Sequence, residues 1–279
     1  GFAMGLKTTV VFSGMSAVPL ILALVIESWG WRQAWLIAAV TIFLTVVPIA
    51  FFGYVDQPSD LGQMADGGNY ETEILSDRRV KSITRDEAIR TRTFWTLASV
   101  TICSSLFGTG LIFHQSNILG EIGYSNSEAA AMFLPAAAGS ILGGLGFGWL
   151  ADRPVRPWLP ATSGFLIALT TFLGGSVTSL GGVISYVLLF GVAMGGVASM
   201  NTALLPALFG VGHIGSITGS LSFLSVLASS IGGLAYSLGS NAFGDYRSTS
   251  VAFTIVPLLV AGTALINRRH FLTSESLRG

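Results

Sequence analysis

The 279-residue chain is 51% hydrophobic and 10% charged, with a mean hydropathy of +0.70, whereas a water-soluble domain carries about 25% charged residues; a soluble fold is all but excluded. Its 14 basic and 14 acidic residues cancel, which removes the basic footprint that nucleic-acid binding requires. The single cysteine, Cys103, rules out an intramolecular disulfide, and three scattered histidines supply neither a metal site nor the acid–base cluster of a membrane enzyme.

Eight apolar stretches fill the chain, at about 8–28, 34–54, 94–115, 129–150, 158–177, 181–208, 215–238 and 249–267. Each is close to the roughly 20 residues that a helix needs to cross a bilayer. Lipid offers the backbone no hydrogen-bond partner, so such stretches must be helices or belong to a closed barrel. They lack the period-two alternation of barrel strands. The expected fold is all-α, a polytopic membrane helical bundle with about eight transmembrane helices. Thirty-five glycines fit that reading, because small residues let membrane helices approach closely. The runs Gly143-Gly144-Leu-Gly146-Phe-Gly148 and Gly191 to Gly195-Gly196 are the expected close-contact faces.

Around the junction of the first two spans lie Glu27, at the outer end of the first, and Trp29, Trp31 and Trp35, residues suited to a membrane interface. The one long polar segment follows, from about 55 to 92. Its first part, from Asp56 through Asn69, is turn-rich and acidic. Its second part contains Thr84-Arg85-Asp86-Glu87, the spacing of a capping box, which predicts a short helix running into Phe94-Trp95. That helix either lies on the membrane, with Arg85, Arg90 and Arg92 reaching anionic headgroups, or is a solvated linker. The remaining loops are short and force neighbouring helices antiparallel. The expected organisation is therefore 1–54 with two spans, 55–92 as a central loop with a short interfacial helix, and 93–279 as a six-span block.

Basic residues set the orientation. Lys7, Arg78, Arg79, Lys81, Arg85, Arg90, Arg92, Arg153, Arg156, Arg268, Arg269 and Arg278 fall on one side of the spans, and only Arg32 and Arg247 on the other. By the positive-inside rule both chain ends are cytoplasmic. The chain opens with neither an initiator methionine nor a signal-peptide pattern, and is expected to be a fragment.

At the end of the fourth span stands Gly148-Trp-Leu-Ala-Asp152-Arg153-Pro-Val-Arg156. It resembles the Gly-x-Leu-Ala-Asp-Arg-x-Gly-Arg loop of the major facilitator superfamily, with Val155 at the second glycine. The resemblance implies that Gly148, Asp152, Arg153 and Arg156 form a cytoplasmic gating loop. Read from the residues alone, Asp152 caps a helix and the arginines anchor the interface. Gly30-Trp-Arg-Gln-Ala-Trp35 resembles the opening of family helix six, Glu87 to Trp95 the start of helix seven, and Gly110-Leu-Ile-Phe-His-Gln115 its outer end. Together these are similar to the oxalate/formate-antiporter and monocarboxylate-transporter branch. The resemblance implies a partial major facilitator fold covering helices five to twelve of a twelve-helix carrier.

Ionisable and polar residues at membrane depth are the candidates for solute contact or coupling. His114 and Gln115 close the third span. The histidine either titrates and couples transport to protons or is an interfacial residue that only bonds a neighbouring helix. Asn201, in the sixth span, faces a cavity or bonds across helices. Ser105 and Thr109 in the third span and Ser225 in the seventh are further candidates, with Ser104, Ser222 and Ser229 beside them; such hydroxyls also bond back to their own helix. The spans 129–150 and 215–238 hold no Lys, Arg or His, whereas the resemblance implies basic residues there in oxalate carriers. The expectation is a secondary transporter of a small organic anion, a monocarboxylate, working by alternating access with proton coupling or exchange in a bacterial inner membrane. It needs no cofactor and is not an enzyme; its partners are the solute, protons and the lipid bilayer. The alternative is a non-transporting scaffold or receptor derived from a carrier fold. No phosphate-binding loop supports ATP-driven pumping.

Overall fold

A computed structural model describes residues 25–53, 82–151 and 157–276, with scattered positions between 10 and 22. Besides the helical residues 25–29, ten helices are bounded among the described residues, which include no strand. They are α1 (Trp31–Gly53), α2 (Arg85–Ile89), α3 (Arg92–Gly120), α4 (Asn126–Ala131), α5 (Phe133–Ala151), α6 (Leu159–Ser176), α7 (Leu180–Phe209), α8 (Ile214–Phe243), α9 (Tyr246–Phe253) and α10 (Ile255–Ser276). Seven helical segments among the described residues are long and apolar enough to span a bilayer, so the all-α polytopic fold is observed. The sequence places an eighth span at 8–28, which lies largely outside the described residues.

The chain forms two compact units. In the smaller, Gly14–Val80, the described helix is α1, apolar over its length with only Ala34 buried. Phe43, Leu44, Ile49, Phe51 and Phe52 are all exposed. Leaving a large apolar side chain in water forfeits about 1.5–3 kcal/mol each, so this surface belongs against lipid or another helix. Gly30 precedes α1 with φ at 84°, a left-handed conformation that separates it from the helical residues 25–29.

The larger unit contains α2 to α10, and α3 is its axis. Thr91 caps α3 by accepting a hydrogen bond from the Phe94 amide at 3.1 Å. The helix packs against α6, α7, α8 and α10, which buries Phe94, Leu97, Leu111 and Ile118 beside Tyr186, Met200, Leu204 and Tyr236. The seventh expected span continues as one helix, α8, but the eighth is broken between α9 and α10 at Thr254. Pro257 explains the break: it has no amide proton for the Phe253 carbonyl, and its ring crowds that turn.

Two pairs of helices run parallel in fixed register. In α5 and α7 the small residues interlock: a Cβ on Gly139 would strike the Leu188 carbonyl, on Gly143 that of Val192, on Gly191 that of Ala136 and on Gly195 that of Ser140. Glycine is required at these four places because backbone meets backbone. Gly146, in the same run, faces open space. The other pair, α3 and α8, is joined by polar side chains.

Candidate functional site

Ser105 on α3 and Ser225 on α8 share a hydrogen bond of 2.6 Å between their Oγ atoms. One turn further out, Thr109 Oγ1 and Ser229 Oγ are 2.7 Å apart. Both pairs are separated by 120 positions in sequence, the mark of two parallel helices in register. All four residues are half-buried rather than sealed. Each hydroxyl both donates and accepts, so either pair can open and offer two donors to one anionic group.

His114 continues the ladder one turn further out. Its Nε2 lies 3.0 Å from the Gly233 carbonyl. A carbonyl only accepts, so Nε2 carries the proton and donates. That leaves Nδ1 as the acceptor for Asn117 Nδ2 at 3.4 Å. The ring stacks on Tyr246 at 4.6 Å between centroids and lies 6.2 Å from that of Tyr236. Between the hydroxyl pairs and the histidine the helices close tightly: a Cβ on Gly232 would strike the Leu106 carbonyl, and one on Gly110 the Tyr236 ring. These glycines let side chains as short as serine span the gap.

The outer end of the seam is fixed by charge. Glu121, just past α3, accepts hydrogen bonds from the amides of Tyr246 (2.8 Å) and Arg247 (3.1 Å). Arg247 Nη2 donates to the Val177 carbonyl at 3.0 Å. Asp245 caps α9 through the Ser248 amide and hydroxyl; the amide bond first, and the hydroxyl after it, hold its carboxyl below the ordinary aspartate range. Tyr246, the aromatic partner of His114, is thereby positioned from both sides.

The other candidate residues lie apart from the seam. Gln115 is 4% exposed, and its Nε2 donates to the Ala129 carbonyl at 2.9 Å. It is one residue from His114, hence about 100° further round the helix, and faces α4. Asn201 Nδ2 donates to Thr101 Oγ1 at 2.8 Å, tying α7 to α3, while its Oδ1 is buried without a partner. Ser104 turns to the Met194 sulfur at 3.5 Å. Gly148 is buried in α5. Asp152, Arg153 and Arg156 lie outside the described residues. Gly233 and Glu121 join the site without having been singled out in the sequence, and Tyr246, which the sequence marks only as an interfacial aromatic, joins it too. The matched i, i+4 spacing of Ser105/Thr109 and Ser225/Ser229 was the available signal for the ladder. Among the described residues no three His, Cys, Asp or Glu converge on a metal position.

The family model described as Major Facilitator Superfamily matches residues 1–233. The chain belongs to the major facilitator superfamily. No curated protein matches it. The matched region runs through α8 as far as Gly233 and so includes both helix pairs. Members of this superfamily are integral membrane transporters of small molecules and are in general not enzymes. Carriers of this kind bind solute near mid-membrane at the interface between their two repeats.

Proposed function

We propose that the protein is a secondary transporter of a small organic anion, specifically a monocarboxylate, working by alternating access with proton coupling or exchange. In this reading 1–54 and 93–279 correspond to helices five and six and to the six-helix second half of a twelve-helix carrier. The stretch 55–92 is then the cytoplasmic central loop. The membrane is a bacterial inner membrane, and both chain ends are cytoplasmic by the distribution of Lys and Arg. Asp152, Arg153 and Arg156 act as the gating latch.

One observation carries the reading: a ladder of exchangeable hydroxyls ending in a histidine, on helices whose membrane-depth residues include no Lys or Arg. Hydroxyl donors can replace part of a carboxylate's hydration, and a proton taken up at His114 Nδ1 would balance a single negative charge. A dianion would need fixed cations, because an uncompensated charge at that depth is costly. The remaining candidates serve the frame. Gln115 holds α4 against α3, and Asn201 with Thr101 locks α7 to α3.

Proteoliposomes of the full-length protein, preloaded with lactate or formate, should show saturable counterflow of the labelled monocarboxylate and little of oxalate. Failure of every small carboxylate to give counterflow would end the substrate assignment. Solute binding without flux would instead support a scaffold or receptor built on the carrier fold.

A further inference from the structure

We propose that the groove where α2 meets the first turns of α3 and α8 is a binding site for an anionic phospholipid, with the phosphate on Arg85 and an acyl chain along Trp95 and Phe223. The groove encloses about 510 Å³ and is lined by Arg85, Ile89, Trp95, Ser220, Phe223 and Leu224, among others. It faces the cytoplasmic leaflet in the orientation given above.

The groove is built, since α2 is pinned at its start. The Ile83 amide donates to the Phe209 carbonyl at 3.1 Å, and the Gly212 amide to Ser82 Oγ at 3.0 Å. Gly210 has φ at 78°, and a Cβ there would sit 2.7 Å from Ser82 Cα, so the α7–α8 turn can approach this closely only with glycine. The Thr84–Glu87 capping box completes the start of α2. Arg85 therefore projects from a fixed frame. Its Nε donates to Ser220 Oγ at 2.7 Å, and Ser220 Oγ donates to the Ser216 carbonyl at 3.0 Å.

This orients the guanidinium while leaving its side chain 54% exposed. Its charged neighbour is Asp86, 4.0 Å from Nη1 and largely in solvent. A solvated pair at that distance is weak, so Arg85 keeps a cation's attraction for phosphate, with a fork suited to two oxygens. The opposite wall is apolar and open. Trp95 is anchored by its Nε1 donating to the Ile89 carbonyl at 2.8 Å, yet the residue is 49% exposed, and Phe223 is 64% exposed. Gly219 places no side chain in the space between. A free phosphate would use the arginine and leave the aromatic wall uncovered. A phospholipid uses both, and a tryptophan at the headgroup level is the usual interfacial anchor.

The test uses delipidated full-length protein in detergent, titrated with dioleoyl phosphatidylglycerol and read by Trp fluorescence and native mass spectrometry. Wild type should bind it more tightly than dioleoyl phosphatidylcholine. Arg85→Gln should weaken binding about fivefold, the equivalent of one basic contact at a membrane surface, and Arg85→Lys by less. Phe223→Ser should weaken the dioleoyl lipid but not its dihexanoyl analogue. Unchanged thermal unfolding of Arg85→Gln keeps the comparison interpretable; if that variant unfolds, Ser220→Ala, which frees the guanidinium without removing it, should lower affinity and stay folded. Equal affinity for the two headgroups, or no effect of either Arg85 variant, would overturn the proposal. So would displacement by inorganic phosphate, which would mark a simple anion site. A groove that never admits lipid, because another protein segment covers it, would overturn it too.

Discussion

The two parallel helix pairs solve the same packing problem with different chemistry. Between α5 and α7 the backbones touch at four places, through Gly139, Gly143, Gly191 and Gly195. Between α3 and α8 the backbone contact at Gly232 is flanked by polar links, Ser105–Ser225, Thr109–Ser229 and His114–Gly233. Backbone contact is short-ranged and has no alternative partner, so separating α5 from α7 would lose dispersion contacts with nothing in return. A hydroxyl pair can exchange its hydrogen bond for one to water or a carboxylate at little net cost, since cross-helix bonds in membranes average only about 0.6 kcal/mol. In the proposed carrier the first seam stays closed, and the second is the one that opens onto the solute.

The largest effect expected from this contrast is on the glycine seam. Gly191→Val pushes a branched side chain into the Ala136 carbonyl and should cost roughly 3 kcal/mol or more, at the top of the range for overpacking. Thermal unfolding in detergent should show this loss, whereas Gly146→Val, whose Cβ meets open space, should change stability by less than about 1 kcal/mol. Similar losses at both positions would erase the distinction between a tight and an open face of α5.

On the hydroxyl seam the order should reverse. Ser225→Ala removes one cross-helix bond, and its stability loss should stay near about 0.6 kcal/mol. Counterflow should nevertheless fall by about tenfold or more, the consequence of about 1.4 kcal/mol of lost solute contact. A variant that unfolds in proportion to its lost transport would make Ser225 a packing residue only.

A smaller effect is expected at the outer end. Glutamine in place of His114 can still donate to the Gly233 carbonyl but cannot carry a proton, so His114→Gln should retain solute exchange and lose proton-driven uptake. Unaltered proton-driven uptake would remove His114 from coupling. The smallest change concerns Asp245, which is partly exposed. Its carboxyl is held below the ordinary value by the Ser248 amide, so its capping contribution is present above the ordinary aspartate pKa of about 3.9 and fades as pH falls through the depressed folded value. Melting temperatures of wild type and Asp245→Asn should therefore differ slightly at neutral pH and converge in acid.

Much of the fold was legible because the bilayer is a demanding solvent. Unbroken apolar runs must become helices, and the runs at 94–115 and 181–208 became the cores of α3 and α7. Helix ends were less legible: α3 runs on to Gly120 because Ser116 and Asn117 at the outer end remain helical, and the break at Thr254 reflects the single Pro257. The glycine contacts followed from composition, except that Gly146 points away from the neighbour that Gly143 meets. The candidate residues were found by depth and chemistry, which do not fix the direction a side chain takes around its helix. Gln115 and Asn201 accordingly bond to Ala129 and Thr101, while Ser105, Thr109, Ser225 and His114 fall on one seam. That grouping depends on the register between α3 and α8, a tertiary quantity that no local pattern encodes. The stack of His114 on Tyr246 depends in turn on Glu121 holding the start of α9.

The most direct test of a solute-facing α3–α8 seam is protection from labelling. Single cysteines at Ser225 and at the buried Ser140, each in a Cys103→Ala background of the full-length protein, are treated with a small maleimide with and without saturating monocarboxylate. The account predicts that Cys at position 225 labels and is protected by the carboxylate, while position 140 stays unlabelled in either case. Labelling at 225 that no carboxylate slows, in protein that still transports, would contradict it.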